Sequence, residues 1–148
     1  MNYFYVQPGV FFIIGIIAGS FLHLCAYRLP RGESILLPPS HCPHCTRRVT
    51  AIDLVPLLSY IWLKGKCRFC GAGIGISHPL IELLTGLLFA IAYLRFGLSI
   101  MLIKALLLIS LLMVIAMIDL RHYIIPNKLT ALVLLLGLAF VLFTGEPT

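Results

Sequence analysis

Residues 98–118 read "LSIMLIKALLLISLLMVIAMI", and this apolar run decides the fold class. It contains one charged residue, Lys104, and a carboxylate, Asp119, follows it directly. A helix needs about 20 mostly apolar residues to cross a bilayer core of roughly 30 Å, and the run has that length. Lys104 is compatible with a crossing, because a lysine near a helix end can extend its amine to the headgroups. We therefore expect a transmembrane helix that ends at Asp119.

The rest of the chain has the same apolar character. Of its 148 residues, 61% are hydrophobic and 11% are charged, and its mean hydropathy of +1.07 lies outside the range of soluble globular domains. Three more segments are long enough to cross a membrane: Val10–Tyr27, Pro79–Phe96 and Ile124–Phe143. The sequence thus predicts an all-α polytopic membrane protein of about four transmembrane helices. Its expected domains are a first anchor (1–27), a loop domain (28–78) and the remaining spans (79–148).

The first segment is expected to be a permanent anchor rather than a cleaved secretion signal. No basic residue precedes it, its apolar run is too long for a signal, and Arg28 and Arg31 follow it.

The basic residues predict the orientation, since lysine and arginine accumulate in short cytoplasmic loops. Most of them lie in the loop domain: Arg28, Arg31, Arg47, Arg48, Lys64, Lys66 and Arg68. We therefore expect the loop domain and Asp119 at the cytoplasmic face of the membrane, with both termini outside. Anionic lipid of the inner leaflet accounts for the net charge of +6, and no nucleic acid is needed as a partner.

The loop domain contains two C-x-x-C motifs, Cys42/Cys45 and Cys67/Cys70. Two such motifs can close a tetrahedral four-sulfur site around zinc. A domain of about 50 residues buries little apolar surface, so a metal whose binding free energy is also folding free energy would stabilise it. Four protein ligands leave no open position, which is typical of a structural zinc site.

Other interpretations of these cysteines remain open. They could form two disulfides or stay as four free thiols, although disulfides are rare in the reducing cytoplasm. His41 or His44 could replace a cysteine as a ligand. Cys25, inside the first span, is expected to be a small buried apolar residue.

The carboxylates are few, and most have a simple explanation. Glu33 and Glu146 lie among prolines and glycines and are expected to be solvated charges. Glu82 falls in the first turns of the second span, where a carboxylate interacts favourably with the helix dipole. Asp53 is expected to cap a short amphipathic helix, residues 54–63, on the membrane surface.

Asp119 is different because it ends a membrane span. It could be an interfacial charge paired with Arg121 or His122. It could equally mark a functional site, since a partly desolvated aspartate acquires a pKa useful for acid–base chemistry. The residues alone leave both interpretations open.

Three stretches together resemble the bacterial type IV prepilin peptidases: "GSFLHLCAYRLPRGESILLPPSHCPHC" (19–45), "IDLVPLLSYIWLKGKCRFCGAGIGISHPLIELLTG" (52–86) and "MIDLRHYIIPNKLT" (117–130). The resemblance runs from about Phe11 to the end of the chain. It implies an aspartic endopeptidase of the bacterial inner membrane that cleaves the basic leader from prepilins and pseudopilins. Asp119 corresponds to one of two catalytic carboxylates. The resemblance also implies N-methylation of the new N-terminus by S-adenosylmethionine.

Two features depart from the family pattern. His23 stands where the family usually has asparagine, and we expect it to face the bundle interior as a polar helix–helix contact. The family's second aspartate lies in a G-x-G-D motif, which this sequence does not contain. Because aspartic proteolysis uses two carboxylates, the chain is expected to be cut short and inactive by itself. The alternative function is a non-catalytic, zinc-stapled membrane interaction module.

Overall fold

The computed structural model describes residues 3–37, 39–50 and 52–122, together with the isolated positions 130, 131, 134, 135 and 137. This part of the chain is helical and contains no strand, only two isolated β-bridges. Its α-helices are α1 (Tyr3–Arg28), α2 (Leu58–Trp62), α3 (Ser77–Phe96) and α4 (Ile100–His122). Short 3₁₀ turns follow α1 at Leu29–Arg31 and precede α2 at Ile52–Leu54.

Three of these helices are long and apolar enough to cross a membrane, over Gln7–Arg31, Ser77–Phe96 and Ile100–Arg121. The prediction of an all-α membrane protein is confirmed. Helix α4 continues past Ile118, so Asp119 lies within its last turn instead of after it. The fourth predicted span, Ile124–Phe143, lies outside the described residues except for isolated helical positions.

Helices α1 and α3 approach each other closely because glycines line their contact. A Cβ atom built on Gly15 would lie 2.7 Å from the Cα atom of Gly86, and one built on Gly19 would lie 2.9 Å from the Cα atom of Glu82. Residues without large side chains allow helix backbones to pack at short range in a membrane, where dispersion drives association. Farther along the pair, the rings of Phe11 and Tyr93 stack with their centroids 4.6 Å apart.

Helix α4 completes the bundle at the ends of α1 and α3 that adjoin the loop domain. One buried cluster joins α1 to α4 and consists of Leu22, Cys25, Ala26, Val114, Met117 and Ile118. Ile118 is among the most deeply buried side chains of the described residues, at 1% exposure. Cys25 lies inside this cluster, as expected of a small apolar residue.

The glycine contact predicts that glycine-to-alanine substitutions at two positions of α1 differ strongly in their effect on the stability of the bundle. Gly15→Ala should destabilise the bundle by about 1–3 kcal/mol, because the new methyl group overlaps backbone atoms of α3 and the helices must separate. Gly9→Ala is the matched control, since a Cβ atom there meets nothing within 4 Å. Unfolding of both variants in detergent micelles is the measurement, and equal stability would contradict the close packing.

The loop domain between α1 and α3 corrects the expectation for Asp53. Its carboxylate does not cap α2 but accepts hydrogen bonds from Arg68 Nε at 3.0 Å and Nη2 at 2.6 Å, and from Thr50 Oγ1 at 2.7 Å. The residue at the cap position of α2 is Leu57, whose amide donates to Glu82 Oε2 at 2.8 Å. Glu82 therefore ties the loop domain to α3, beyond the dipole interaction expected of it.

Candidate functional site

The four cysteines predicted as metal ligands lie together. Their sulfur atoms are all within 4.8 Å of one another, and the sulfurs of Cys42 and Cys70 are 3.7 Å apart. A tetrahedral zinc with bonds of about 2.3 Å places its sulfur ligands about 3.8 Å apart, so the cluster has the size of such a site. None of these four cysteines is in a disulfide. The group could hold a metal ion.

Two turns of the same construction bring the sulfurs together. The amide of Thr46 donates to the carbonyl of Cys42 at 2.8 Å, and the amide of Gly71 donates to the carbonyl of Cys67 at 3.0 Å. Both donors occupy the same place in their turn, and both have a positive φ, 57° for Thr46 and 71° for Gly71. Glycine adopts this conformation without a steric penalty, whereas threonine does not. The first turn therefore has the same backbone conformation as the second, although Thr46 occupies the position that favours glycine.

The backbone of each turn also favours thiolates. Amide groups of Cys70 and Phe69 point at the sulfur of Cys67 and lower its pKa to about 6. The same kind of contact lowers the pKa of Cys42. The Ala72 amide acts likewise on Cys70, but the loss of water around its sulfur and the hydrogen bonds to neighbouring cysteines raise its pKa to about 11. Four crowded sulfurs therefore do not all ionise unless a cation balances their charge.

An ion pair braces the second turn against the preceding 3₁₀ turn. Arg68 contacts both carboxylate oxygens of Asp53, and this guanidinium holds the pKa of the Asp53 carboxyl below its usual value. The Asp53 side chain is 6% exposed, so its negative charge is compensated by Arg68 and hardly by water. Asp53 is thus a structural residue of the loop domain.

A cavity of about 930 Å³ separates the cysteine turns from the ends of the helices. At its membrane end the rings of His23 and His78 lie with centroids 3.7 Å apart. Arg121 Nη2 donates to His23 Nε2 at 2.9 Å and lies 3.5 Å from Ser77 Oγ. His23 is 4% exposed. The prediction that it faces the bundle interior is confirmed, and the contact joins α1, α3 and α4.

Asp119 stands apart from this cavity. It is exposed in the last turn of α4, while its neighbours Met117 and Ile118 are buried against α1. Within the described residues no ion pair joins Asp119 to Arg121, whose guanidinium instead contacts His23 and Ser77. The structure therefore brings the four cysteines together but keeps the carboxylate on a different surface of the bundle.

The sequence missed the partners of the buried polar residues. The partners around His23 are His78, Ser77 and Arg121, and the partner of Glu82 is Leu57. Each partner is separated from the residue it contacts by a long stretch of chain. The available signal was a histidine and a glutamate inside apolar spans, because such residues require partners within the bundle.

Fold and site define a polytopic helical membrane protein with a four-cysteine loop domain between its first two spans. A model described as the bacterial peptidase A24 N-terminal domain matches residues 13–96, and one described as the type IV leader peptidase family matches residues 106–148. The chain belongs to the bacterial peptidase A24 family, and the resemblance to the prepilin peptidases is confirmed.

The curated relatives carry the name prepilin leader peptidase/N-methyltransferase. The Bacillus subtilis protein is 43% identical over 120 residues, which are 81% of this chain and 48% of that protein. The Myxococcus xanthus protein is 42% identical over 134 residues, 90% of this chain and 40% of that protein. The Klebsiella pneumoniae protein is 35% identical over 145 residues, 94% of this chain and 64% of that protein. The chain spans about half the length of the curated relatives it matches, and no solved structure matches it.

Proposed function

We propose that this chain acts in a membrane aspartic endopeptidase that removes the leader from type IV prepilins and pseudopilins. The observation that carries the proposal is the position of Asp119. It lies inside the region matched by the type IV leader peptidase family, and it is an exposed carboxylate in the last turn of a span. A substrate whose apolar segment lies in the bilayer would present its cleavage point at that depth.

The chemistry requires a second carboxylate. In aspartic proteolysis one carboxylate acts as base on the attacking water while the other donates a proton to the carbonyl oxygen. Asp119 and Asp53 are the two aspartates of this sequence, and Asp53 is held by Arg68 in the loop domain. We infer that residues 1–148 do not complete the dyad by themselves.

Leader cleavage in membranes tests this proposal. Residues 1–148 are assayed with a prepilin, once alone and once with the carboxy-terminal half of the Bacillus subtilis relative as a co-expressed fragment. Cleavage should appear only in the second case, because the fragment would supply the second carboxylate. Cleavage by the chain alone would contradict the inference, since it would require a catalytic partner for Asp119 within these residues.

We propose zinc as the metal of the four-cysteine group, bound by Cys42, Cys45, Cys67 and Cys70. The cluster size and the thiolate-favouring turns fit zinc, and four ligands leave no position for water or substrate. Its role would be structural, holding the two turns together. The names of the relatives also include an N-methyltransferase, and we infer S-adenosylmethionine as the methyl donor of the whole protein.

We further propose the bacterial inner membrane as the location, with the loop domain and Asp119 at the cytoplasmic face. Nine of the eleven lysines and arginines then lie on the cytoplasmic side, seven in the loop domain together with Arg121 and Lys128. Alkaline phosphatase inserted after Gly97, between α3 and α4, should be active because this enzyme folds only outside the cytoplasm. The same insertion after Gly73 should be silent. The reverse pattern would contradict the orientation.

A further inference from the structure

Helix α2 of the loop domain presents an apolar face that no described residue covers. Leu58, Ile61 and Trp62 are 66%, 71% and 83% exposed. Their spacing of three and four residues places them on one side of the helix. We call these three residues the α2 face. The other side of the segment is turned toward the cavity and consists of Ser59, Tyr60 and Leu63.

The 3₁₀ turn before α2 exposes a further large apolar side chain, Ile52, at 72%. Leu54 of the same turn is 49% exposed and lines the cavity. Exposed large apolar side chains that cluster on one surface mark an interaction site, whereas single exposed apolar residues are ordinary on protein surfaces. The question is which partner covers this one.

The depth of α2 relative to the bilayer follows from its contact with α3. The Leu57 amide at its start donates to Glu82 Oε2 at 2.8 Å, and Glu82 is five residues beyond the start of α3 at Ser77. With a rise of about 1.5 Å per residue, this contact lies about 7–8 Å along the helix. The 20 residues of α3 measure about 30 Å, which is the thickness of the hydrocarbon core. Because α3 has no extra turn that extends beyond the core, Glu82 cannot lie far from the membrane.

The residues after α2 fit the headgroup region. Lys64 and Lys66 are both exposed and lie two and four residues after the end of α2 at Trp62. Tryptophan with flanking lysines is typical of the boundary between acyl chains and headgroups, where the indole lies among the chain ends and the amines meet phosphates. Lysines near an anionic lipid surface are attracted to its phosphates. A lipid surface therefore satisfies both the apolar face and the charges beside it.

We propose that the α2 face lies in the lipid headgroup boundary of the adjoining leaflet and that Glu82 sets its depth. Leu58, Ile61 and Trp62 contact the upper acyl chains, and Lys64 contacts the phosphates. The loop domain is then held to the membrane by its own surface as well as by the helices at its two ends. This proposal is independent of whether the chain takes part in cleavage.

Trp62 provides the test, because it is the only tryptophan of the sequence. The protein is reconstituted into vesicles whose phospholipids carry bromine either near the glycerol end or near the middle of the acyl chain. Trp62 emission should be quenched more strongly by the shallow bromines, and aqueous acrylamide should quench it weakly. The matched control carries the reporter deep in α3: in Trp62→Phe/Leu87→Trp, the deep bromines should quench more strongly, since Leu87 is a half-exposed residue of the span.

Two outcomes would overturn the proposal. Weak quenching by both lipids with strong quenching by acrylamide would place Trp62 in water. Weak quenching by lipids and acrylamide alike would mean that protein covers the α2 face, either another segment or a second copy. For the role of Glu82, Glu82→Ala should shift quenching from shallow bromine toward acrylamide at unchanged metal content. Unaltered quenching in that variant would remove Glu82 as the anchor.

Discussion

Replacing Asp119 by asparagine should abolish leader cleavage by residues 1–148 in the presence of the co-expressed carboxy-terminal fragment. Zinc content and membrane insertion should remain unchanged. Asparagine keeps the size of the side chain but can neither accept a proton from water nor share one with a second carboxylate. A positioned general acid or base accelerates a reaction by about 10²–10⁴-fold, so a loss of at least that size is expected. Asp119 is exposed and makes no ion pair among the described residues, so a stability defect is not expected to mimic the loss.

The control is the same chemical change at a carboxylate outside the site. Glu33→Gln alters an exposed residue of the loop domain and should leave cleavage unchanged. Cleavage of a prepilin by wild type, Asp119→Asn and Glu33→Gln in membranes, with the completing fragment present, is the measurement. Equal cleavage by wild type and Asp119→Asn would remove Asp119 from the mechanism. It would favour an interfacial charge on a non-catalytic, zinc-stapled membrane module.

The second large effect is expected at the cysteine cluster. Cys67→Ser should remove most of the bound zinc and lower the yield of folded protein, while α1, α3 and α4 still insert. Apparent binding free energies of structural zinc reach about 10–16 kcal/mol, and much of this is folding free energy when the domain has little core of its own. Removing one of four thiolates therefore removes a large part of the stability of the loop domain.

Cys25→Ser is the matched control, because Cys25 is buried in the helix bundle and lies outside the cluster. Its zinc content should equal that of wild type. Metal analysis and thiol titration of reduced, purified protein provide the measurement. If wild-type protein contains no zinc and all five cysteines titrate as free thiols, the proposed zinc site is wrong.

The spans and the cysteine cluster could be predicted because their signals are local. An apolar run such as residues 98–118 has few alternatives to a membrane helix, since its backbone must satisfy its own hydrogen bonds in lipid. Two C-x-x-C motifs likewise carry their own geometry, and the four sulfurs of the cluster do lie together. Helix ends were less certain: α4 continues to His122 because no proline or glycine stops it before that point.

The polar contacts could not be predicted because their partners are distant in the chain. Asp53 was expected to cap α2, but an arginine 15 residues later offers it a bidentate, charge-assisted contact that is stronger than a cap. His23 and Arg121 meet only because α1 and α4 pack side by side across 98 residues of separation. A buried polar residue indicates that a partner exists, but only the fold identifies it.

The glycine contact between α1 and α3 has a consequence for the loop domain that joins them. The two helices hold the ends of a segment of about 50 residues near each other even when that segment is unfolded, which removes roughly 3 kcal/mol of loop-closure entropy from its folding. The tethered cysteines therefore sample one another more often than they would in an excised peptide. The metal affinity of a peptide covering residues 28–78 would accordingly understate the affinity of the intact protein.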